Sequence, residues 1–160
     1  MEIERKFLLS NIPYELSELK SKHLDQRYIN SDPVVRIRRS DDKFFLTIKS
    51  NGLMKRIEVE KEITSEEYQE LSAIVKGRLI TKTRYLIPLE DGLTMELDIF
   101  EGDFKGLIVA EVEFPTEEAA VSFVPPEFVE KDVTYDKRYA NVALSFMNEE
   151  EISDFIYTKD

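Results

Sequence analysis

Pairs of like-charged residues, spaced two positions apart, recur along this chain of 160 residues. The acidic pairs are Glu2 with Glu4, Glu58 with Glu60, Glu96 with Asp98, and Glu111 with Glu113. The basic pairs are Arg36 with Arg38, and Lys82 with Arg84. On a β-strand such residues project from one face about 7 Å apart, where like charges do not stabilise each other. They can instead converge on an opposite charge, because carboxylate pairs bind divalent cations and basic pairs bind phosphate groups.

The composition limits which metal and which partner these pairs can bind. The chain has no cysteine and a single histidine, His23, so thiolate and multi-histidine metal sites are excluded. Any metal would therefore be a hard cation bound by carboxylate oxygens. The net charge of −11 disfavours nucleic acid and anionic membranes as partners, although a local basic pocket could still bind a small polyanion.

The length and the N-terminal sequence predict the domain organisation. A chain of 160 residues is the size of one domain with a substantial core. We find neither a basic-then-apolar N-terminal signal nor an apolar run of membrane-spanning length. We therefore expect a single soluble domain over residues 1–160, located in the cytoplasm and without a membrane partner.

Alternation of apolar and polar residues with period two predicts eight strands, at residues 1–9, 25–30, 33–40, 43–50, 55–63, 78–89, 93–101 and 107–114. The dipeptides Asp41-Asp42, Asn51-Gly52 and Asp91-Gly92 predict tight turns between antiparallel neighbours. Helices are predicted at residues 13–22, 65–75, 117–123, 136–147 and 149–157. Thr64 and Glu67 have the spacing of a capping box at the start of the second helix.

The predicted strands carry charge on one face and apolar side chains on the other. The polar face comprises Glu2, Glu4, Lys6, Gln26, Tyr28, Arg36, Arg38, Thr47, Lys49, Arg56, Glu58, Glu60, Lys82, Arg84, Glu96, Asp98, Glu111 and Glu113. A sandwich with a solvated charged face would show the same alternation. A membrane β-barrel would also show it, but predicted helices interrupt the strand order. The like-charged pairs favour a mainly β, α+β fold: a closed barrel with a charged interior and helices packed outside.

The ordered motifs resemble those of the CYTH superfamily, the triphosphate tunnel metalloenzymes. Glu2, Glu4 and Lys6 form its opening E-x-E-x-K, and RIRR, TIK, KTRY, ELD, GLxxAEVEF and DVTxDKRYxN follow in order over nearly the whole chain. The resemblance implies an eight-stranded antiparallel closed tunnel that binds a triphosphate compound with Mg²⁺ or Mn²⁺. The family includes inorganic, thiamine and RNA triphosphatases and class IV adenylate cyclases.

The resemblance also implies roles for individual residues. The substrate-binding residues would be Lys6, Arg36, Arg38, Lys49, Arg56, Lys82, Arg84 and Arg138, with Lys137 as an alternative to Arg138. The metal ligands would be Glu2, Glu4, Asp98, Glu111 and Glu113, while Glu58, Glu60 and Glu96 would serve a second metal, a water or ion pairs. Lys49 with Tyr28 would be the catalytic base if crowding by Arg36 and Arg38 favours its neutral form; otherwise Lys49 only binds phosphate.

Three functions of different classes are compatible with such a tunnel. The favoured one is metal-dependent hydrolysis of inorganic triphosphate to diphosphate and phosphate, because the short chain lacks extra loops for a nucleoside or thiamine. A thiamine triphosphatase or class IV-type adenylate cyclase would need a recognition surface that the sequence does not reveal. A non-catalytic polyphosphate- or nucleotide-binding module would not need the acidic pairs. The aromatic tail around Phe155 and Tyr157 predicts helix packing or a homodimer contact.

Overall fold

The computed structural model describes residues 1–157, which form a mainly antiparallel β fold with short helices. The strands are β1 (Glu2–Leu8), β2 (Lys20–Ser31), β3 (Val34–Ser40), β4 (Lys43–Lys49), β5 (Lys55–Arg56), β6 (Glu58–Ile63), β7 (Ile80–Pro88), β8 (Thr94–Glu101), β9 (Ile108–Glu113) and β10 (Lys131–Asp132). The helices are α1 (Ser65–Ser72), α2 (Glu117–Ser122), α3 (Asn141–Ser145) and α4 (Glu149–Tyr157). The predicted domain end at residue 160 lies outside the described residues.

The strands form one barrel that closes where a predicted strand divides in two. The sheet order is β10-β1-β9-β8-β7-β2-β3-β4-β6, and β5 pairs with β1. The strand predicted over residues 55–63 is interrupted at Ile57, so that β6 pairs with β4 while β5 pairs with β1. Glu2 lies opposite Arg56 in that closing contact. The predicted eight-stranded closed barrel is confirmed, with β10 added as a short strand beside β1.

The charged face of every long strand points into the barrel, as the alternation predicts. On β1, Glu4 lies opposite Glu113 and Lys6 lies opposite Glu111 of β9. The next residue, Phe7, is fully buried on the opposite, outer face of β1. Because side chains alternate with period two, this register carries the whole acidic set of β1 and β9 into the interior.

One end of the barrel interior is filled by apolar side chains. Beyond the charged residues, toward this end of the barrel, the inward positions on β1, β8 and β7 are Leu8, Phe100 and Ile80, and all three are buried. They belong to a cluster that also contains Tyr139 and Phe155 from the C-terminal segment. The interior is therefore polar over part of its length and packed with apolar side chains over the rest.

Helices and loops cover only part of the apolar outer face. A second cluster joins the outward side chains of β1, β8 and β9 to Ala120 of α2. Arg5, on the outer face of β1, donates to the carbonyl oxygens of Ala120 at 3.0 Å and Phe123 at 2.7 Å. On β4 and β6, in contrast, Ile48 and Val59 are 42% and 62% exposed. Helices pack outside the barrel on the β1–β9–β8 side, and α1 packs on one end of β4, where the ring centres of Tyr68 and Phe44 lie 5.0 Å apart; Ile48 and Val59 stay outside this contact.

The predicted helix over residues 13–22 is wrong. The chain forms a single 3-10 turn at Leu16–Glu18 and then enters β2 at Lys20, five residues before the predicted strand. Ile12, Tyr14 and Leu16 alternate with period two and pack on the outer cluster. Pairing of β2 along β7, from Lys20 to Gln26, satisfies backbone groups that a helix would leave without partners on β7.

The remaining helix and turn predictions have mixed outcomes. The capping box of α1 is confirmed, with Glu67 N donating to Thr64 Oγ1 at 3.1 Å and Thr64 N donating to Glu67 Oε1 at 2.9 Å. The predicted helix over residues 136–147 is divided by extended backbone at Ala140 into a 3-10 turn, Lys137–Tyr139, and α3. The tight turn at Asn51-Gly52 is wrong, because residues 50–54 form a wider loop between β4 and β5.

Candidate active site in the barrel interior

The polar part of the barrel interior is a cavity of about 250 Å³. Its charged lining residues are Glu2, Glu4, Lys6, Lys22, Arg36, Arg38, Lys49, Arg56, Glu58, Glu60, Arg84, Glu96, Glu111 and Glu113. The neighbouring strands β1, β9 and β8 contribute an acidic wall, which we define as Glu2, Glu4, Glu96, Glu111 and Glu113. The neighbouring strands β7, β2, β3 and β4 contribute a basic wall, defined as Lys22, Arg36, Arg38, Lys49 and Arg84.

Two carboxyl groups of the acidic wall share a proton. Burial, together with the carboxylates of Glu111 and Glu2, raises the pKa of Glu4 to about 8. Burial also acts to raise the pKa of Glu111, but Lys6, Arg84 and a hydrogen bond from Glu4 hold it well below the usual range. The raised pKa favours the protonated form of Glu4 at neutral pH, the form that donates to the Glu111 carboxylate. Such a pair is the expected response of two buried carboxylates to mutual repulsion.

The chemistry of the acidic wall fits a hard divalent cation. A cation can replace a shared proton between carboxylates, and the pKa of Glu113 is also raised, by burial and by Glu2, Glu58 and Glu96. Within residues 1–157, no three acidic or histidine side chains already stand close enough together to enclose an ion. Mg²⁺ usually keeps several waters and binds through one or two carboxylates plus substrate phosphates, so a partial protein ligand set suffices. Glu2, Glu4, Glu111 and Glu113 are the residues that would hold it.

Asp98, expected as a metal ligand, is placed differently by the structure. It is 1% exposed, and its two oxygens accept from Arg84 Nε at 2.7 Å and Arg84 Nη2 at 2.9 Å. Lys82 Nζ lies 2.7 Å from its Oδ2. Burial acts to raise the pKa of Asp98, but these two cations lower it overall. In this arrangement Asp98 holds Arg84 and Lys82 in position rather than facing the cavity.

The guanidinium groups of Arg36 and Arg38 donate hydrogen bonds to neutral side chains, and the carboxylate of Glu60 lies 3.8 Å from Arg36 Nη2. Arg36 Nη2 donates to Thr47 Oγ1 at 3.1 Å, while its Nε is buried without a hydrogen-bond partner. Arg38 Nε donates to the neutral oxygen of Gln26 at 2.9 Å. Burial and the neighbouring guanidinium groups of Arg36 and Arg84 lower the pKa of Arg38. Two adjacent guanidinium groups that donate to neutral side chains in a cleft attract an anion.

Other expected phosphate-binding cations are paired with the acidic wall. Lys6 Nζ lies 3.6 Å from Glu111 Oε1, and Arg56 Nη2 lies 3.1 Å from Glu4 Oε1. Lys49 Nζ donates to Glu2 Oε1 at 3.1 Å. Burial acts to raise the pKa of Glu2, but Lys49 and Arg56 lower it overall. All of these groups lie within one cavity, as the sequence predicts.

Lys49 and Tyr28, the two residues proposed as the catalytic base, both line the cavity but are hydrogen-bonded to different partners. Tyr28 Oη accepts from Gln26 Nε2 at 3.0 Å, while the Lys49 ammonium contacts Glu2 and lies 3.8 Å from Glu58. The neighbours of Lys49 are therefore carboxylates, not the guanidinium groups that the sequence argument assumed.

Two predicted substrate-binding residues do not line the cavity. Lys82 is 0% exposed behind Arg84, and burial lowers its pKa to about 7, helped by Arg84 and Arg38 and opposed by Asp98. Arg138 is bonded to Asp136, with Nη2 to Oδ2 at 2.6 Å, and over half of its side chain is exposed. Lys137 borders a neighbouring, more apolar cavity instead.

Two polar lining residues, Lys22 and Asn141, are absent from the inward face predicted from the sequence. Lys22 was assigned to the helix over residues 13–22, but on β2 it shares the inward face of Gln26 and Tyr28. The period-two spacing of these three residues was the available signal. Asn141 lies in the motif DVTxDKRYxN but is uncharged, so charge pairing could not identify it.

A closed antiparallel barrel with an acidic wall facing a basic wall defines the class to which this protein belongs. A sequence model of the CYTH domain matches residues 1–140, and the chain belongs to the CYTH domain family. It is 41% identical over 147 residues to an inorganic triphosphatase of Nitrosomonas europaea, covering 90% of this chain and 96% of that protein. An inorganic triphosphatase of Acetivibrio thermocellus is 39% identical over 144 residues, covering 88% and 90%.

Solved structures share the same fold. The crystal structure of an inorganic triphosphatase superposes with a TM-score of 0.69 at 38% identity, covering 92% of this chain and 96% of that one. A Hippeastrum protein described as a putative adenylyl cyclase with dominant triphosphatase activity has a TM-score of 0.63 at 22% identity, covering 76% and 83%. At that identity the second likeness concerns the fold alone. Among residues 1–157, no helix is both long and apolar enough to cross a membrane.

Proposed function

We propose that this protein hydrolyses a triphosphate compound, with inorganic triphosphate as the favoured substrate and with Mg²⁺ or Mn²⁺ required. The observation that carries the proposal is the pair of opposed walls in one cavity, carboxylates on β1, β8 and β9 facing cations on β2, β3, β4 and β7. In a triphosphate–metal complex the cation is complementary to the acidic wall and the phosphate groups are complementary to the basic wall. The two relatives named inorganic triphosphatase, at 41% and 39% identity over most of the chain, support the same substrate.

In this proposal the basic wall binds and orients the phosphate groups. Phosphoryl transfer depends chiefly on placement and on stabilising charge at the phosphoryl oxygens. The guanidinium groups of Arg36 and Arg38, which no carboxylate neutralises within 3.5 Å, are suited to this role. Arg84 is held rigidly by Asp98 and presents its remaining N–H groups to the cavity side, where Glu96 lies 3.4 Å away.

Binding would exchange ion pairs across the cavity. Lys6, Lys49 and Arg56 contact carboxylates that are also the expected cation ligands. When those carboxylates serve a divalent cation, the three basic groups become available to phosphate oxygens at nearly unchanged positions. The cation would neutralise charge on the phosphoryl oxygens and lower the pKa of a bound water. In the ligand-free protein Glu2 contacts the Lys49 ammonium, so Lys49, assisted by Tyr28, is proposed as the proton acceptor only when the cation has taken over that carboxylate; otherwise Lys49 binds phosphate.

The direct test is phosphate release from inorganic triphosphate, ATP and thiamine triphosphate, with cyclic AMP formation measured in parallel. We expect release from inorganic triphosphate with Mg²⁺ or Mn²⁺ and none in EDTA. Glu111→Gln should lose activity by more than about 100-fold, because it removes a charge at the proposed cation site. Full activity in metal-stripped protein, or cyclic AMP as the main product, would refute the proposal.

A further inference from the structure

Asn141 brings an uncharged amide from the C-terminal segment to the charged cavity. It is the first residue of α3 and is half-buried in the cavity lining, next to Ala140 and Val142. Its Oδ1 accepts from Lys82 Nζ at 3.1 Å. Among the described residues, no protein group accepts a hydrogen bond from its Nδ2. Since the oxygen of this amide is directed at Lys82, its NH₂ group is directed away from Lys82.

Lys82 is held so firmly that it determines how this amide is oriented. Its ammonium lies 2.7 Å from Asp98 Oδ2 and 5.2 Å from the centre of the Phe100 ring, with no exposed surface. Lys82 Nζ donates to Asn141 Oδ1, and a donor at this place requires the oxygen of the amide and not the nitrogen. Lys82 therefore selects one of the two amide orientations of Asn141.

The segment that carries Asn141 is anchored to the start of β7 by close backbone contact. Arg78 N donates to Ser145 O at 2.8 Å, and Ser145 Oγ donates to Arg78 O at 2.9 Å. A side chain at Gly77 would collide with Ser145 Oγ, so glycine permits this approach. Arg78 Nε also donates to Met147 O at 3.0 Å. The segment that follows Asn141 is thus held against the residues that precede β7.

We propose that Asn141 is a phosphate-binding residue: its Nδ2 donates to a phosphoryl oxygen of the substrate, and Lys82 is the positioning residue that fixes the amide for this bond. The inference rests on the proposed function for the identity of the ligand, a triphosphate. An amide donor adds a hydrogen bond to the anion without adding to the crowding of cations around Arg38 and Arg84. It also couples the C-terminal segment to the bound substrate.

Two substitutions at Asn141 separate the donor from the acceptor. Asn141→Asp keeps an oxygen for Lys82 but replaces the NH₂ group by a negatively charged oxygen facing the phosphate. Asn141→Ala removes both groups. Asn11→Asp makes the same chemical change at an exposed position outside the cavity lining and is the matched control. Affinity for inorganic triphosphate is measured by calorimetric titration in EDTA, and the Tm of each ligand-free protein by thermal unfolding.

Asn141→Asp should lower triphosphate affinity by about tenfold or more, with kcat/KM reduced through KM, while its ligand-free Tm is maintained. Asn141→Ala should lose affinity too, and its Tm should fall by about 5 °C because the buried Lys82 loses a partner. Asn11→Asp should change neither. Equal affinity of Asn141→Asp and Asn11→Asp for triphosphate would overturn the phosphate contact. An unchanged Tm in Asn141→Ala would overturn the positioning role of Lys82.

The same titrations distinguish failure of this inference from failure of the proposed function. Wild-type protein that binds triphosphate but releases no phosphate with Mg²⁺ or Mn²⁺ would contradict hydrolysis, and the affinity comparison would still decide the role of Asn141. An Asn141→Asp variant that binds and hydrolyses triphosphate as well as the wild type does would contradict the inference alone. Wild-type protein that does not bind triphosphate would contradict both.

Discussion

At the scale of one residue, Arg38 illustrates how a phosphate-binding group can lower the stability of the ligand-free protein. Its guanidinium group is near those of Arg36 and Arg84, and its Nε donates to the neutral side chain of Gln26. Like charges held together in a partly buried site destabilise the fold, and they remain because an anionic ligand needs them. Lys6 differs, since Glu111 and the carbonyl oxygen of Tyr139 satisfy it.

Arg38→Ala should therefore raise the ligand-free Tm by about 2–4 °C, corresponding to about 1 kcal/mol, while weakening triphosphate binding by about tenfold. Lys6→Ala should weaken binding without this gain in Tm, because it leaves Glu111 without its nearest cation. Thermal unfolding and calorimetric titration on both variants provide the comparison. A fall in Tm for Arg38→Ala would contradict the view that cation repulsion dominates at this position.

The raised pKa of Glu4 predicts how metal-free stability depends on pH. The folded protein keeps a proton on Glu4 up to about pH 8, whereas the ordinary value for this side chain is 4.5. Between these limits the folded state binds more protons than the unfolded state, so the free energy of unfolding falls as pH rises. The Tm in EDTA should therefore decrease from about pH 5 to about pH 8. Glu4→Gln should flatten this slope, and an unchanged slope in the variant would contradict the assignment.

At the scale of the element, the two faces of strand β1 have different roles: the inward face lines the cavity and the outward face packs against neighbouring elements. Glu4 points into the cavity, while the adjacent Arg5 points outward and binds two carbonyl oxygens at the end of α2. Arg5 Nη2 also donates to Asp132 of β10 at 2.8 Å. From the sequence alone Arg5 could be taken as a neutral surface residue. In the fold it holds two elements against the barrel.

Glu4→Gln should therefore lower activity, whereas Arg5→Gln should lower stability. We expect Glu4→Gln to reduce phosphate release by about 100-fold with the folded protein intact. Arg5→Gln should lower the Tm by about 5–10 °C through the loss of charge-assisted hydrogen bonds, yet retain activity per folded molecule below its Tm. Activity assays at a temperature where both variants are folded, together with unfolding curves, make the distinction. Equal loss of activity in both would show that the faces of β1 are wrongly assigned.

At the scale of the whole molecule, opposite charges balance across one cavity although the chain as a whole carries −11. Ligand binding should therefore stabilise the entire barrel, because β1, β9 and β7 contribute to the site as well as to the sheet. The barrel closes through two residue pairs of β1 and β5, and Arg56 at that closure also contacts Glu4 of the acidic wall. Closure of the barrel and assembly of the site involve the same residues.

Inorganic triphosphate at about 100 times its Kd should raise the Tm by about 5–10 °C, since binding to the folded state adds about 2.7 kcal/mol to the free energy of unfolding. The shift should be larger with Mg²⁺ than in EDTA, because the acidic wall then also gains a partner. Phosphate alone at the same concentration is the control for a general anion effect. A Tm unaffected by millimolar triphosphate under both conditions would contradict a binding site inside the barrel.

The alternation of the sequence predicted most of the inward residues, while the like-charged pairs and the resemblance to the CYTH superfamily favoured a barrel over a sandwich. Which face of a strand a residue occupies depends on its position along that strand, so Glu2, Glu4, Arg36, Arg38 and Glu111 could be placed without knowing any partner. The ends of the strands were predicted less accurately. The segment over residues 13–22 has a composition compatible with a helix, and pairing with the edge of β7 makes its last three residues part of β2.

Only the tertiary structure decided which charges meet. Asp98 has the residue type and position of a metal ligand, yet Arg84 and Lys82 occupy its oxygens. Asn141 carries no charge and becomes a candidate ligand only because the C-terminal segment packs beside Lys82. The face of a strand on which a side chain lies is a local property, because it follows from the two-residue period of the strand. The partner of a buried charge is a long-range property, set by competition among several opposite charges that chain folding brings within about 4 Å of one another.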